Sequence, residues 1–401
     1  MKTIFDEVIA AWASTIDEIG LLAEYCQKVT TVKYATEYCF KLEDFTPDAF
    51  PPGNELLDEI PVEAPPVYEE YGLDAKGLPC YCTTVHRDGQ PMTAGFYRYT
   101  PGRVEFVQYN LRYRTTHVFK RIEFAEDRKI AFLHGVANGG GFKFAGMTPQ
   151  QAIDAAKANK NSMFLSVQEY EYENGRIVRD ISHNRAPGAG DYDFTGYYTY
   201  DQTGKLAEIK DVSPQGRERL RYVAWDETEG LQGLANRLAH EMAHAIVNAL
   251  LEADIETPLA ILQLTYHYAD VYMPTLNLLS VTEKEEVTAD NTGNVWEGLF
   301  LNQNWLDDTP LKGIEKTFTQ FMNQVHSHGA HNTARGMLQK TSALLTTSRL
   351  FGRIPVDPEF FAYAIDNSIE GHDTEDFKEI LLNCGMTEQQ CEDWDKRGWL
   401  R

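Results

Sequence analysis

The sequence lacks several features that would identify its class directly. It has no run of about 18 uncharged apolar residues, the length that a membrane-spanning helix requires. Its first residues include Asp6 and Glu7, where a signal peptide would be basic and then apolar. Six cysteines in 401 residues are too few and too scattered for a disulfide framework. These absences predict a soluble, cytoplasmic protein with reduced cysteines.

Positive charge is also scarce. The chain has 37 Lys and Arg against 60 Asp and Glu, which gives a formal net charge of -23. This balance argues against nucleic acid and anionic membranes as partners, because phosphates require a basic surface. Acid is concentrated between Leu42 and Ala75, where no Lys, Arg or His occurs, and again from Asp357 to Asp395. Such charge favours encounter with a basic protein partner, and plain solubility is the alternative interpretation.

Motifs for nucleotide binding and for serine hydrolysis are missing. No Gly-x-Ser-x-Gly nucleophile elbow occurs. The glycine-rich stretch Asn138 to Lys143 lacks the Lys-Ser/Thr ending of a P-loop and the spacing of a dinucleotide fingerprint. We therefore expect no organic cofactor and interpret this stretch as a loop at a sheet edge.

The motif with chemical meaning is His240-Glu241-Met242-Ala243-His244. On a helix, His240 and His244 face one side and could both bind a zinc ion while Glu241 activates a metal-bound water. No third histidine follows at the metzincin spacing, and a downstream glutamate (Glu283, Glu285 or Glu286) would have to complete the site. A zinc-dependent metallohydrolase is therefore one possible function, the alternative to a protein that only binds a partner. The remaining residues favour a protein without enzymatic activity.

A repeated pattern of tyrosine, glycine and cation marks the first half of the chain. The copies are Tyr97-x-Tyr99-x-x-Gly102-Arg103-Val104, Tyr170-x-Tyr172-x-x-Gly175-Arg176-Ile177 and Tyr198-x-Tyr200-x-x-x-Gly204-Lys205-Leu206. Each copy predicts a strand, a turn that needs glycine and a return strand, so together they predict an antiparallel meander. The stretch Phe124 to Ile130 is interpreted as a degenerate copy of the repeat that has lost its glycine.

The predicted fold class is α+β, an N-terminal antiparallel β-meander with flanking helices followed by an α+β C-terminal domain. Three regions are expected: residues 1–79 form a helix (Thr3 to Val29) and an acidic, proline-rich wrap, residues 80–228 a β-rich domain with the hairpin repeats, and residues 229–401 the α+β domain. Apolar residues at helical spacing around Leu234, Leu238 and Met242 place the zinc motif on a helix of the last region.

Two resemblances follow from these residues. The segments Tyr170 to Ile177 and Tyr198 to Ile209 resemble the tyrosine and aspartate hairpin repeats of bacterial Rhs-type and wall-associated proteins, with Tyr200-Asp201 the best match. The second half is similar in layout to bacterial domains found among polymorphic-toxin immunity proteins, through Leu234 to Tyr268 and the ending Phe377 to Leu400. The resemblance implies a bacterial immunity or antitoxin protein that neutralises a basic toxin by direct binding, with no catalytic residues to carry over.

Overall fold

The computed structural model describes residues 4–16, 20, 22–35, 39–40, 42, 56–60, 67–86, 88–225, 228–253, 255–267, 271–284, 304–305, 311–328, 330–347, 350–366, 374–397 and 400. The chain divides into two compact units, Met1–Tyr222 with Ser327–Gly329, and Val223–His326 with Ala330–Arg401. Within the described residues, no helix is long and apolar enough to cross a membrane.

The first unit is built on one sheet in which every strand pairs with its neighbours in the chain. The sheet order is β1 to β12 without a crossover, which confirms the predicted antiparallel meander. The strands are β1 Thr31–Ala35, β2 Val67–Leu73, β3 Pro79–His86, β4 Pro91–Thr100, β5 Arg103–Asn110, β6 Thr115–Ala125, β7 Arg128–Ala137, β8 Met163–Glu173, β9 Arg176–Ala186, β10 Gly190–Tyr200, β11 Leu206–Val212 and β12 Glu218–Val223. Within the segment expected to be a wrap, Val67–Leu73 is thus a strand paired on both sides.

The glycine-containing repeats form hairpin turns, as predicted. Gly102, Gly175 and Gly204 have φ of 71°, 80° and 87°, in the left-handed region that favours glycine. The degenerate copy, Phe124 to Ile130, also forms a hairpin, between β6 and β7. Glu126 and Asp127 adopt φ of 51° and 62° in its turn. This turn keeps the geometry at a steric cost, because a side chain disfavours positive φ.

The second tyrosine of each repeat links one hairpin to the preceding strand. Its hydroxyl donates to a backbone carbonyl there: Tyr99 to Pro79 (3.0 Å), Tyr172 to Lys129 (2.9 Å) and Tyr200 to Ile177 (2.7 Å). In two cases the cation at the start of a return strand lies over the ring of the second tyrosine in the following hairpin. Arg128 lies over Tyr172, and Arg176 lies over Tyr200. The repeat therefore specifies contacts between hairpins as well as the turns themselves.

Helices cover one face of this sheet. The helices are α1 Asp6–Ala13, α2 Leu22–Cys26 and α3 Pro149–Ala158, and α3 begins at a capping box. Trp12 of α1 is fully buried in the core on this side and donates from Nε1 to a β6 carbonyl at 3.2 Å. The single helix expected over Thr3 to Val29 is wrong: α1 ends where the Ser14 and Thr15 hydroxyls donate to carbonyls three residues back. The glycine-rich stretch Asn138–Phe144 is a turn segment before α3, in which Gly139, Gly140 and Gly141 have φ of 62°, 66° and 83°.

The opposite face of the sheet carries its own row of aromatic and aliphatic side chains. The first tyrosines of the repeats, Tyr97, Tyr170 and Tyr198, are buried in this cluster. Farther along the same strands this face becomes polar, where β8 and β9 contribute serine, asparagine, glutamine and aspartate. That polar region is the candidate site of the first unit.

The second unit is an α+β layer structure, as predicted. Its sheet has the order β15–β14–β13–β16, with β13 antiparallel to β14 and parallel to β16. The strands are β13 Leu259–His267, β14 Val271–Ser280, β15 Asn304–Trp305 and β16 Val356–Asp366. The helices are α4 Gly230–Glu252, α5 Glu315–His328, α6 His331–Thr347, α7 Thr374–Asn383 and α8 Glu388–Lys396, and α4 packs on α6, which packs on β16.

Candidate functional site

A row of polar side chains crosses five strands of the first sheet. The strand register pairs Lys120 of β6 with His134 of β7, His134 with Ser166 of β8, Ser166 with Asn184 of β9, and Asn184 with Tyr192 of β10. Neighbouring strands lie about 4.8 Å apart, so the row presents one polar group at each such step. We call these five residues the polar row.

The polar row lies in a cleft of about 340 Å³. This volume is at the lower end of the range of about 300–1,000 Å³ that is typical of small-molecule sites. Buried Gln168 and Ser182 extend the polar floor of the cleft, and Phe132 and Phe164 contribute aromatic surface. The last strands of the sheet add Asp211, Arg219 and Arg221.

A network of two aspartates and two arginines lies at this end of the cleft. Arg221 bridges Asp180 and Asp211, with its Nε 3.2 Å from Oδ1 of Asp211. Asp180 is completely buried and also accepts hydrogen bonds from the hydroxyls of Tyr198 (2.8 Å) and Ser182 (2.9 Å). Arg219 holds Oδ2 of Asp211 at 2.9 Å. The carboxylates fix the positions of both guanidinium groups.

The Arg221–Asp180 pair spans β10 through a gap left by Gly196. A Cβ at this position would lie 2.5 Å from Oδ2 of Asp180, and closer still to Nη2 of Arg221. Gly196 pairs with Asp180 on one side and Asp211 on the other. The missing side chain thus provides the space in which the arginine of β12 reaches the aspartate of β9.

Burial dominates the electrostatics of Asp211. It raises the pKa of this carboxyl group, Arg221 and Arg219 act in the opposite direction, and Asp180 raises the pKa further. A buried carboxylate is tolerated when it is paired, and here Oδ2 accepts a hydrogen bond from Arg219 while Oδ1 is ion-paired with Arg221 without a hydrogen bond. The network therefore depends on both arginines.

Two polar groups of the row face the cleft without a partner. Within the described part of the chain, the side chains of Ser166 and Asn184 make no hydrogen bond, although the residues are only 5% and 7% exposed. By contrast, Gln168 accepts from the Tyr170 hydroxyl at 2.8 Å. Buried polar groups normally have a partner, so the hydroxyl and the amide are available to a ligand or to water.

A smaller pocket of about 90 Å³ lies in the second unit between β16 and α8. Its floor is apolar and buried, made by Phe361, Met386 and Trp394. Its rim includes the carboxylates of Glu359 and Asp393. We call it the acidic-rimmed pocket.

Arg397 occupies one carboxylate of this rim. Its guanidinium donates to both oxygens of Glu359, at 3.0 and 3.3 Å. The hydrogen bond from Arg397 lowers the pKa of Glu359, against a smaller opposing effect of burial. Lys284 approaches the same carboxylate at 3.9 Å. The chain itself thus shows how a guanidinium group binds at this rim.

The residues of the predicted zinc motif lie on α4. Its apolar stripe is buried as expected, and His240 and His244 are exposed. Glu241 accepts from Arg237 at 3.3 Å. No group of three His, Cys, Asp or Glu side chains that could hold a metal occurs in the described ranges. Of the possible third ligands, the Glu283 carboxylate accepts a hydrogen bond from the Ser280 backbone amide at 2.8 Å, and Glu285 and Glu286 lie outside the described residues.

Comparisons with known proteins identify no family. No family model and no curated protein matches the chain. Among the solved structures that match, the crystal structure of TcdB2-TccC3-Cdc42 contains a chain that is similar over 39% of this chain, with 12% identity and a TM-score of 0.23. The match covers 9% of that chain, and similarity at this level carries no argument about function. A long antiparallel meander with hairpin repeats is shown, and the immunity-protein resemblance, part of which rests on Gly398 and Trp399 outside the described residues, stays a hypothesis.

Proposed function

We propose that this protein binds a basic protein partner and, more specifically, that it is a cytoplasmic immunity-type protein that neutralises a basic toxin by direct binding. The observation that carries the proposal is the acidic-rimmed pocket in a chain of net charge -23. The resemblances of the sequence motivate the more specific form.

The acidic-rimmed pocket suits a lysine or arginine side chain of a partner. Such side chains bury their aliphatic part against apolar surface and keep the charged end at a polar rim. Trp394 and Phe361 provide the apolar surface, and Glu359 and Asp393 provide the opposite charge. Exposed Glu388, Glu392 and Asp395 lie on the same helix. Lys396 offsets part of this charge, 3.7 Å from Glu392 and 3.4 Å from Asp393, and the acidic excess that remains attracts a basic surface.

The first experiment measures binding of a fluorescent oligolysine peptide to the full chain by anisotropy at low and high salt. We expect binding that weakens with salt and is reduced about tenfold by the double variant Glu359→Gln/Asp393→Asn, because two charge-assisted contacts are lost. Arg397→Gln should strengthen binding, because it frees Glu359 from its internal partner.

The matched control is Glu171→Gln/Asp193→Asn. These carboxylates are exposed on the first unit and have internal partners in Arg179 and His183, and the net charge changes by the same amount. Equal weakening by both double variants would show that the general acidity of the chain explains the binding, and would refute the role of the acidic-rimmed pocket.

The toxin form of the proposal needs a second experiment. A basic protein captured by the wild-type chain, and not by Glu359→Gln/Asp393→Asn, is expressed alone and together with each form of this chain. We expect growth arrest alone and rescue by the wild type only. Capture of a protein that does not arrest growth would refute the neutralising role while leaving the binding role in place.

The zinc-dependent hydrolase stays a prediction. It rests on His240, Glu241 and His244 in the sequence, and it is tested by metal content as described in the Discussion.

A further inference from the structure

The charge that lines the cleft of the first unit is opposite in sign to that of the chain. Three permanent cations, Lys120, Arg219 and Arg221, line the cleft together with Asp211, and the buried Asp180 pairs with Arg221. The local balance is therefore positive by one charge, in a protein whose total is -23. A positive cleft in such a protein is a local feature that general acidity does not explain.

Arg219 is held in a fixed orientation and keeps donors for a ligand. Its Nε and Nη2 lie 2.9 Å from Asp211, and its guanidinium lies 4.2 Å from the Phe194 ring centre. The side chain is still 58% exposed. A guanidinium has five donors in a planar fork that matches a carboxylate or a phosphate, and the contacts with Asp211 engage only one side of it.

Lys120 lies on the opposite side of the cleft and has a similar reserve. Its Nζ donates to the Leu42 carbonyl at 3.2 Å, and an ammonium group has three donors. Between Lys120 and Arg219, the Ser166 hydroxyl and the Asn184 amide face the cleft. The arrangement offers charged donors at two sides and neutral donors on the floor.

We propose that this cleft binds a small ligand through anionic oxygen groups, carboxylate or phosphate, which Arg219 contacts at one side and Lys120 at the other while Ser166 and Asn184 hydrogen-bond to the part between them. The ring surface of Phe132 and Phe164 contacts the ligand's uncharged part. The site lies in the first unit and does not depend on the basic partner proposed for the second.

Isothermal titration of the full chain at low salt tests this site with three probes: inorganic phosphate, succinate and glucose. We expect saturable binding of one or both anions and none of glucose. Arg219→Gln should weaken anion binding about tenfold or more, and Lys120→Gln should weaken it in the same direction, because each removes a charge-assisted contact. The ratio of the phosphate and succinate affinities identifies the preferred group.

The matched control is Arg179→Gln on β9. Arg179 is paired with Glu171 and is absent from the cleft lining, so its loss changes the net charge equally without touching the site. We expect its anion affinity to stay within about twofold of the wild type. The proposal is refuted if neither anion saturates, if glucose binds more tightly than both, or if Arg219→Gln and Lys120→Gln behave like Arg179→Gln. A variant counts only if its circular dichroism spectrum and melting temperature match those of the wild type. Because Arg219 and Lys120 lie on different strands, one folded variant of the two is enough for the test.

Discussion

Substitution of Gly196 by alanine tests whether the gap in β10 is required for the buried ion pair. The new Cβ would lie 2.5 Å from Asp180 Oδ2 and 3.0 Å from its Cγ, well inside normal contact. The Cβ would collide with both members of the pair, so the carboxylate has to shift within the hold of its two hydroxyl donors and the guanidinium of Arg221 has to move away from it. The completely buried carboxylate then loses its cation.

The expected cost follows from the environment of Asp180. Breaking a buried pair by removing one partner costs about 3–5 kcal/mol. The hydroxyls of Ser182 and Tyr198 still stabilise the carboxylate, and alanine gains about 0.4–1 kcal/mol over glycine through the unfolded chain. We therefore expect a net loss of about 2–3 kcal/mol, which corresponds to a urea midpoint lower by about 1 M.

The assay is urea unfolding followed by hydrogen-exchange mass spectrometry, so that peptides from β9 and β10 report on the first unit separately. Gly135→Ala is the control, a strand glycine whose added Cβ would meet Val8 at 3.2 Å and no charged group. We expect it to cost about 1 kcal/mol or less.

A double-mutant cycle with Asp180→Asn isolates the electrostatic part. Without the carboxylate there is no buried charge to leave unpaired, so Gly196→Ala should cost less by about 1 kcal/mol or more in that background. Equal cost in both backgrounds, or a loss like that of Gly135→Ala, would refute the reasoning.

Three further predictions concern other residues. Tyr200→Phe removes the hydroxyl that donates to Ile177 and should destabilise the first unit by about 1 kcal/mol in the same unfolding assay; an unchanged midpoint would contradict the linking role. The hydrogen bond from Arg185 is the main cause that lowers the pKa of Asp191 from its usual 3.8 to about 2. Its ionised form therefore stabilises the fold above pH 3.8, and this contribution is lost as pH falls towards 2. Asp191→Asn should thus lower the urea midpoint at pH 7, and the difference from wild type should vanish near pH 2; a constant difference would contradict this. With the motif histidines exposed, we expect equally low zinc by mass spectrometry in wild type and His240→Ala; stoichiometric zinc that the variant loses would support the hydrolase.

The hairpins of the first unit could be predicted from sequence because their signals are local. A turn that needs positive φ is visible wherever glycine follows alternating aromatic residues. A further turn of the same kind escaped the pattern: Asp74 accepts from the amides of Lys76 and Leu78, as Asp201 accepts from Thr203 and Lys205. Leu73 stands at the position of the second tyrosine before this turn, so the tyrosine pattern did not detect the turn.

The cleft could not be predicted from the same signals. Ser166 and Asn184 are unremarkable in sequence and meet only through the register between β8 and β9. A one-residue slip would place one of them on the other face, and sequence patterns do not fix register to that accuracy. A partial signal existed, because Ser166 and Gln168 alternate with the apolar Leu165 and Val167 in the region predicted to be β-rich.

The order of the sheet has a consequence for how the first unit folds and evolves. Since strands adjacent in space are adjacent in the chain from β1 to β12, the contact order of the sheet is low for a β structure. Within β2 to β7 and within β8 to β12, where the connections are short, the sheet can form hairpin by hairpin from any starting point, as in solenoid repeats. Duplication or loss of one hairpin would lengthen or shorten the sheet by two strands and leave the connections of the others intact, so the meander is a scaffold that can change its width by whole units.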